Sequence, residues 1–323
     1  MSDALPDFLE PLGDGIYAID TGFHRPRFDA AYLMVEGGRA CFIDTGTNHA
    51  VPRLLGALDA LGLAPDAVDH VIATHVHLDH AGGAGLLLQS LPTAQLVVHP
   101  RGARHLIDPR ALWAGALAVY GAQEMERSYG QLVNVPPERV LQSSDGMVLQ
   151  LAGRPLLFID TPGHARHHHC IWDERSRGWF TGDTFGLSFR EFDVAGRPAW
   201  ILPTSTPVQF EPGPLRQSIQ RLLAQQPRCM YLTHYGRVAD VPALAEEFLL
   251  QLDAMVALGE SVRGAPDRHE ALKHGLRQLY VQRLRANGRR GDAAELDLLS
   301  LDVELNAQGM GVWLDRPAEG RHA

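Results

Sequence analysis

The sequence predicts an α/β protein of two mixed β-sheets with helices outside them. Three observations predict it. Short apolar, β-branched runs alternate with helical stretches. Some of those runs close as hairpins. Five of them also end in a polar residue of the kind that binds metals or protons. Alternating strands and helices, mixed with hairpins, are met by layered sheets whose outer faces carry the helices.

Taken in order, residues 15–20, 31–36 and 39–44 read as successive strands, with Gly37-Gly38 making a tight hairpin turn. Between the first two lies Thr21-Gly22-Phe23-His24-Arg25-Pro26-Arg27-Phe28, which mixes aromatic and basic residues. It reads equally as plain surface or as a rim over a site, because the strand after it runs towards Asp44. A helix over about 50–62 places Leu54, Leu55, Leu58 and Leu61 on one face. Val68-Asp69-His70-Val71-Ile72-Ala73 is the next buried strand, and Gln95-Leu96-Val97-Val98-His99 another.

Between those two strands stands Thr74-His75-Val76-His77-Leu78-Asp79-His80-Ala81-Gly82-Gly83, three imidazoles and a carboxylate within six residues. In extended backbone, residues two apart share a side, so His75, His77 and Asp79 can converge. His80 breaks that parity, which suggests a second, neighbouring centre. Imidazole and carboxylate without thiolate suit zinc, and also iron, manganese or cobalt. The other reading is a histidine-rich surface loop.

Six residues cannot complete two metal shells, and later strands end in the missing types. Leu156-Leu157-Phe158-Ile159-Asp160 leads to Thr161-Pro162-Gly163-His164, Gly178-Trp179-Phe180-Thr181 to Gly182-Asp183-Thr184, and Cys229-Met230-Tyr231-Leu232-Thr233 to His234-Tyr235-Gly236. Upstream, Ala40-Cys41-Phe42-Ile43 leads to Asp44-Thr45-Gly46. In these ordered motifs, over roughly residues 15 to 240, the chain resembles the metallo-β-lactamase-fold superfamily of metallohydrolases. The resemblance implies an αββα sandwich and a pair of divalent metals, most readily zinc. It implies that His75, His77 and His164 hold the first, that Asp79, His80 and His234 hold the second, that Asp183 bridges them, and that Asp44 braces the site from behind. A bridging Asp here is similar to glyoxalase II, the lactone hydrolases and the ribonuclease Z group, and counts against a lactam as substrate.

Residues 101–130 interrupt the β pattern. Arg101–Ile107 and Arg110–Tyr129 are rich in helix formers, with Trp113, Leu117 and Tyr120 spaced for one face. Substrate cover, subunit contact and simple peripheral packing all fit this insert. Near His164 stand His167-His168-His169 in a strand expected to run to Trp172; His168 is a candidate donor behind the ligands, the other two strand or surface residues. His49, His70, His99, His105, His269, His274 and His322 receive no role. Gly186 to Gly213 lacks periodicity and holds several aromatics; a loop of this length is commonly a lid or binding loop. Phe185, Phe189 and Trp200, with His24, are therefore expected to line the substrate pocket.

Beyond His234 the chain turns helical. Val241–Leu258 sets Leu244, Phe248, Leu252 and Met255 in one stripe, followed by helices over about 268–287 and 292–304 and a closing strand or docking segment, Gly309–Leu314. The organisation expected is a catalytic domain over 1–240 and a C-terminal helical extension over 241–323. Those helices pack internally or support a homodimer.

Composition bounds the rest. Apolar residues make up 45% of 323, ordinary for a globular protein with a sizeable core. A net charge of −9 without a basic stripe argues against a nucleic-acid surface. Cys41, Cys170 and Cys229 all fall in expected strands, as core thiols of a reducing compartment do. The first residues carry no basic, apolar export signal, and no apolar run nears the ~20 residues of a membrane span. A soluble cytoplasmic protein with a small-molecule substrate is the expectation.

The ligand set implies a chemistry. Two metals ~3.5–4 Å apart ionise a shared water near neutral pH, and the resulting hydroxide attacks a carbonyl carbon. Asp79 and Asp183 moderate the charge and orient that hydroxide. The expected activity is dinuclear-metal hydrolysis of a carboxylic ester, thioester or lactone. Two other classes stay open: a mononuclear-iron oxidoreductase like persulfide dioxygenase, and a metal-holding effector or regulatory protein with incidental hydrolysis.

Overall fold

The computed structural model describes residues 5–205 and 207–317; Thr206 and His322 lie outside them. The first sheet is ordered β1 (Leu9–Gly13), β2 (Ile16–Asp20), β3 (Ala30–Glu36), β4 (Arg39–Ile43), β5 (Val68–Ala73), β6 (Gln95–Val98) and β7 (Val140–Gln142). Its first four strands pair antiparallel and β4 to β7 pair parallel. The change of direction follows from the connections. Gly37 and Gly38, at φ 53° and 77°, close a two-residue hairpin between β3 and β4. From β4 onward the chain returns through helices: α1 (Val51–Ala60), the short α2 (Leu78–Ala81), α3 (Ala84–Ser90) and α4 (Pro100–Ile107). The second sheet is ordered β13 (Gly236–Val238), β12 (Cys229–Leu232), β11 (Gly178–Gly182), β10 (His169–Asp173), β9 (Arg154–Asp160) and β8 (Val148–Leu151).

The chain separates into two compact units. The first runs to Asp160 and includes His167–Gly182 and Cys229–Arg237; the second comprises Thr161–Arg166, Asp183–Arg228 and the chain from Val238. The first unit holds both sheets. Their facing sides meet in one apolar layer, with Ile16, Tyr32, Met34 and Ile43 from the first sheet against Phe158, Ile171, Phe180 and Tyr231 from the second. The other side of the first sheet packs Leu33, Phe42, Val71 and Leu96 against Leu54, Leu58, Leu87, Leu88 and Leu106 of the helices. A sheet buried on both faces explains why its central strands read as unbroken apolar runs. Cys41, Cys170 and Cys229 are buried and lie outside any disulfide, as expected of core residues.

The helical insert is less regular than its composition suggests. α5 (Arg110–Tyr120) ends at Gly121, φ 80°, and the chain continues through α6 (Ala122–Glu124) into a wide helical turn, Met125–Tyr129. None of α5's side chains is buried, so Trp113, Leu117 and Tyr120 form no core-facing stripe; Met125 and Tyr129 supply the buried contacts instead.

The second unit contains α7 (Pro212–Ala224), α8 (Val241–Val262), α9 (Arg268–Ala286), α10 (Ala293–Asp297) and α11 (Ser300–Asp315). The stripe Leu244, Phe248, Leu252 and Met255 is buried, as its spacing predicts. Gly309–Leu314, expected as a strand or docking segment, instead lies within α11, where Met310, Trp313 and Leu314 are buried. Its two glycines weakened the helical signal, and packing against α8 and α9 overrides that propensity. The non-periodic 186–213 stretch is anchored by hydrogen bonds from Gln251 Nε2 to the Ile201 carbonyl and from Asn306 Nδ2 to the Pro203 carbonyl. No helix of the described residues is long and apolar enough to cross a membrane.

Candidate metal centre

The centre is built on strand ends. β5 stops at Ala73, and the turn Thr74–His77 delivers His75 and His77 before α2 lifts Asp79 and His80. That turn is stapled to the loop after β4: Thr45 N–H donates to the His80 carbonyl (2.7 Å), and Gly83 N–H to the Gly46 carbonyl (2.8 Å). Asp44, at φ 57°, turns its carboxylate inward from that loop. It accepts from Thr74 N–H (2.8 Å), from Thr74 Oγ1 (2.9 Å) and from Thr233 Oγ1 (2.8 Å), and lies 2.9 Å from His80 Nδ1. These are the groups that the carboxylate expected to brace the site meets.

Two groups of side chains converge among the described residues. His75, His77, His164 and Asp183 form one; Asp79, His80 and His234 form the other. Within each group, one donor atom per residue lies within 4.8 Å of all the rest. His75 Nε2 and His77 Nδ1 are 2.8 Å apart, and His164 Nε2 is 3.4 Å from Asp183 Oδ2. In the other group, Asp79 Oδ2 stands 3.3 Å from His234 Nε2 and 3.7 Å from His80 Nε2. The seven residues are those singled out in the sequence. Neutral imidazole nitrogens and carboxylates, gathered at this spacing with no cysteine, fit divalent zinc, iron or manganese.

Several neighbours aim the donors. The Nδ1–H of His234 donates to the Phe28 carbonyl (2.9 Å), and that of His80 to Asp44, so both rings offer Nε2 to the centre. The His168 ring stacks on His75 at 4.8 Å and 25°, where a donor behind the ligands was expected. His167, His168 and His169 are all buried; His169 opens β10, in keeping with the strand reading, while His167, neither strand nor surface, lies with His168 in the preceding turn. Asp29, which has no sequence signal, is wholly buried, and burial pushes its carboxyl up to about 7. Thr21 Oγ1 donates to its Oδ2 at 2.6 Å.

The expected pocket residues divide. His24 lines a cavity of about 500 Å³ beside the rim loop, and burial holds its imidazole below the usual value. Phe185, Phe189 and Trp200 are sealed from solvent inside the second unit, with Phe185 stacked on Phe248 at 5.8 Å and Trp200 edge-on to Phe192 at 4.8 Å. They are packing residues. Thr74 and Thr233 were missed, although one signal could have found them: each precedes a ligand-type histidine at a strand end, a repeated Thr-His pair.

Comparison with known proteins shows the family. Residues 24–234 match the family model of the metallo-beta-lactamase superfamily. The chain is 27% identical over 243 residues to a metallo-beta-lactamase fold-containing protein of Sulfurisphaera tokodaii, covering 74% of this chain and 84% of that one. It is 31% identical over 188 residues to an acyl-coenzyme A thioesterase of Gallus gallus, covering 54% of this chain and 64% of the thioesterase, so it spans less than two thirds of that relative. Among solved structures, a metallo-beta-lactamase family protein from Thermus thermophilus superposes with a TM-score of 0.65 at 24% identity, over 94% of each chain.

Proposed function

The chain belongs to the metallo-β-lactamase superfamily, and from that premise we propose that it is a metal-dependent hydrolase of a carboxylic ester, thioester or lactone. One observation carries the reading: two adjoining sets of imidazole and carboxylate donors, each gathered within 4.8 Å. The similarity to an acyl-coenzyme A thioesterase supports an acyl substrate.

His75, His77, His164 and Asp183 would hold one divalent ion, and Asp79, His80 and His234 a second; in this reading Asp183 would bridge them. Bound there, such ions supply Lewis-acid polarisation of a carbonyl and a water of lowered pKa. The protein's own contribution is orientation and charge. Asp44 and the Phe28 carbonyl fix the tautomers of His80 and His234. Asp79 and Asp183 would offset the charge of such ions and could accept hydrogen bonds from a water held beside them. No Ser or Cys nucleophile is needed, and no acyl-enzyme forms. The mononuclear-iron oxidoreductase reading employs only the first donor set and leaves Asp79, His80 and His234 without a task.

The test is metal quantification joined to a panel of esters, thioesters and lactones. His80→Ala and Asp183→Asn should each lose bound metal and nearly all turnover. Full turnover by metal-stripped protein would end the proposal, and one iron per chain with oxygen uptake would replace it with the oxidoreductase.

A further inference from the structure

The cavity beside the rim loop is the feature that the metal chemistry does not use. It is lined by Phe23 and His24 of the rim, by Thr47 and His49 after β4, and by Arg127 and Ser128 of the insert, and encloses about 500 Å³. No carboxylate lines it. Glu124 takes hydrogen bonds from one terminal nitrogen of Arg127 and from Ser128 Oγ, which holds one corner of a guanidinium that also lines the cavity. The Arg127 side chain remains 69% exposed, so its donors are accessible.

A line of aromatic rings joins this cavity to the metal centre. Tyr129 lies 5.4 Å from Phe23, Phe23 lies 5.9 Å from Phe28, and Phe28 lies 5.4 Å from the His234 ring. His24 sits on the same path, 4.0 Å from Phe23, and feels the charge of Asp79. One end of the path carries the proposed carbonyl chemistry and the other an exposed guanidinium with two imidazoles and three hydroxyls around it. Apolar rings lie between.

Resting on the hydrolase reading, we infer that this cavity selects acyl substrates whose far end carries an oxyanion, a carboxylate or a phosphate, held by Arg127 with His49 and Ser128 beside it. Phe23, the one of these rings that lines the cavity, offers apolar surface beside that anion. Arg127 is a specificity residue here; it touches substrate remote from the reacting bond.

Three thioesters test it on the metal-loaded protein: S-acetyl-N-acetylcysteamine, which is neutral; S-succinyl-N-acetylcysteamine, which bears a carboxylate; and acetyl-coenzyme A, which bears phosphates. Arg127→Ala should raise KM for an anionic thioester and cut its kcat/KM preference over the neutral one by about tenfold, the loss of one charge-assisted hydrogen bond. Arg127→Lys should recover part of that preference, and Arg127→Glu should depress it further. The anionic substrate whose KM moves identifies carboxylate or phosphate. Equal change on all three substrates, or none on any, overturns the inference while leaving the hydrolase intact. Failure of the wild-type protein to cleave any of the three, or any ester or lactone, overturns the hydrolase reading and this inference with it.

Discussion

His80 Nδ1 lies 2.9 Å from Asp44 Oδ2, with both side chains sealed from solvent. The same carboxylate takes hydrogen bonds from Thr74 and Thr233, so one buried anion ties the loop after β5 to the end of β12. Through His80 that arrangement connects Asp44 to the second donor set.

Replacing Asp44 with Ala should weaken metal binding at the His80 position by about 10- to 100-fold, the usual cost of losing such a partner. Competition against a chromogenic chelator measures it. An affinity equal to the wild type would show that Asp44 has no hold on His80.

Gly182, at φ 46°, closes β11 immediately before Asp183. A Cβ there would stand 2.6 Å from both His168 Nε2 and Thr74 Oγ1. Gly182→Ala should therefore both strain the backbone and push Thr74 off Asp44, lowering metal occupancy as well as thermal stability. Quantifying bound metal alongside the melting temperature decides it, and full occupancy at unchanged stability refutes the contact.

His169 is buried, and burial pushes its imidazole down to about 3. Its Nδ1 pairs with Ser143 Oγ at 2.7 Å. Because the folded state disfavours the charged ring, its contribution is complete above the ordinary value near 6.5 and is lost as pH falls towards 3. Urea unfolding of the metal-free protein between pH 6.5 and 4.5 should show His169→Gln losing less stability than the wild type, by up to about 1.4 kcal/mol per pH unit. Parallel slopes for the two proteins would contradict the buried neutral ring.

Phe185→Ala should destabilise the protein by about 3–5 kcal/mol, since the side chain is fully buried and stacks on Phe248. Phe248→Ala should cost a similar amount, and the double variant less than the sum, because each exposes the same contact. Strict additivity by chemical denaturation would separate the two residues.

Much of the fold was legible in the sequence because it is local. β5 and β6 read from apolar runs, the β3–β4 hairpin from Gly37-Gly38, and the α8 stripe from its period. What failed was decided by distant partners. Gly309–Leu314 joins a helix because α8 and α9 cover it. Phe185 and Phe189, which suggested a pocket wall, are consumed by packing.

The sequence by itself determined the chemistry available to this protein: seven imidazoles and carboxylates, each placed where a strand ends and the backbone turns. Strand periodicity and turn residues act over a few positions, so they are written in the chain. Tertiary structure alone decided what stands around those side chains, bringing Thr233 to Asp44 across 189 positions and Arg127 to the cavity of His24 and His49. Such pairings follow from sheet order and helix packing, which no local pattern encodes.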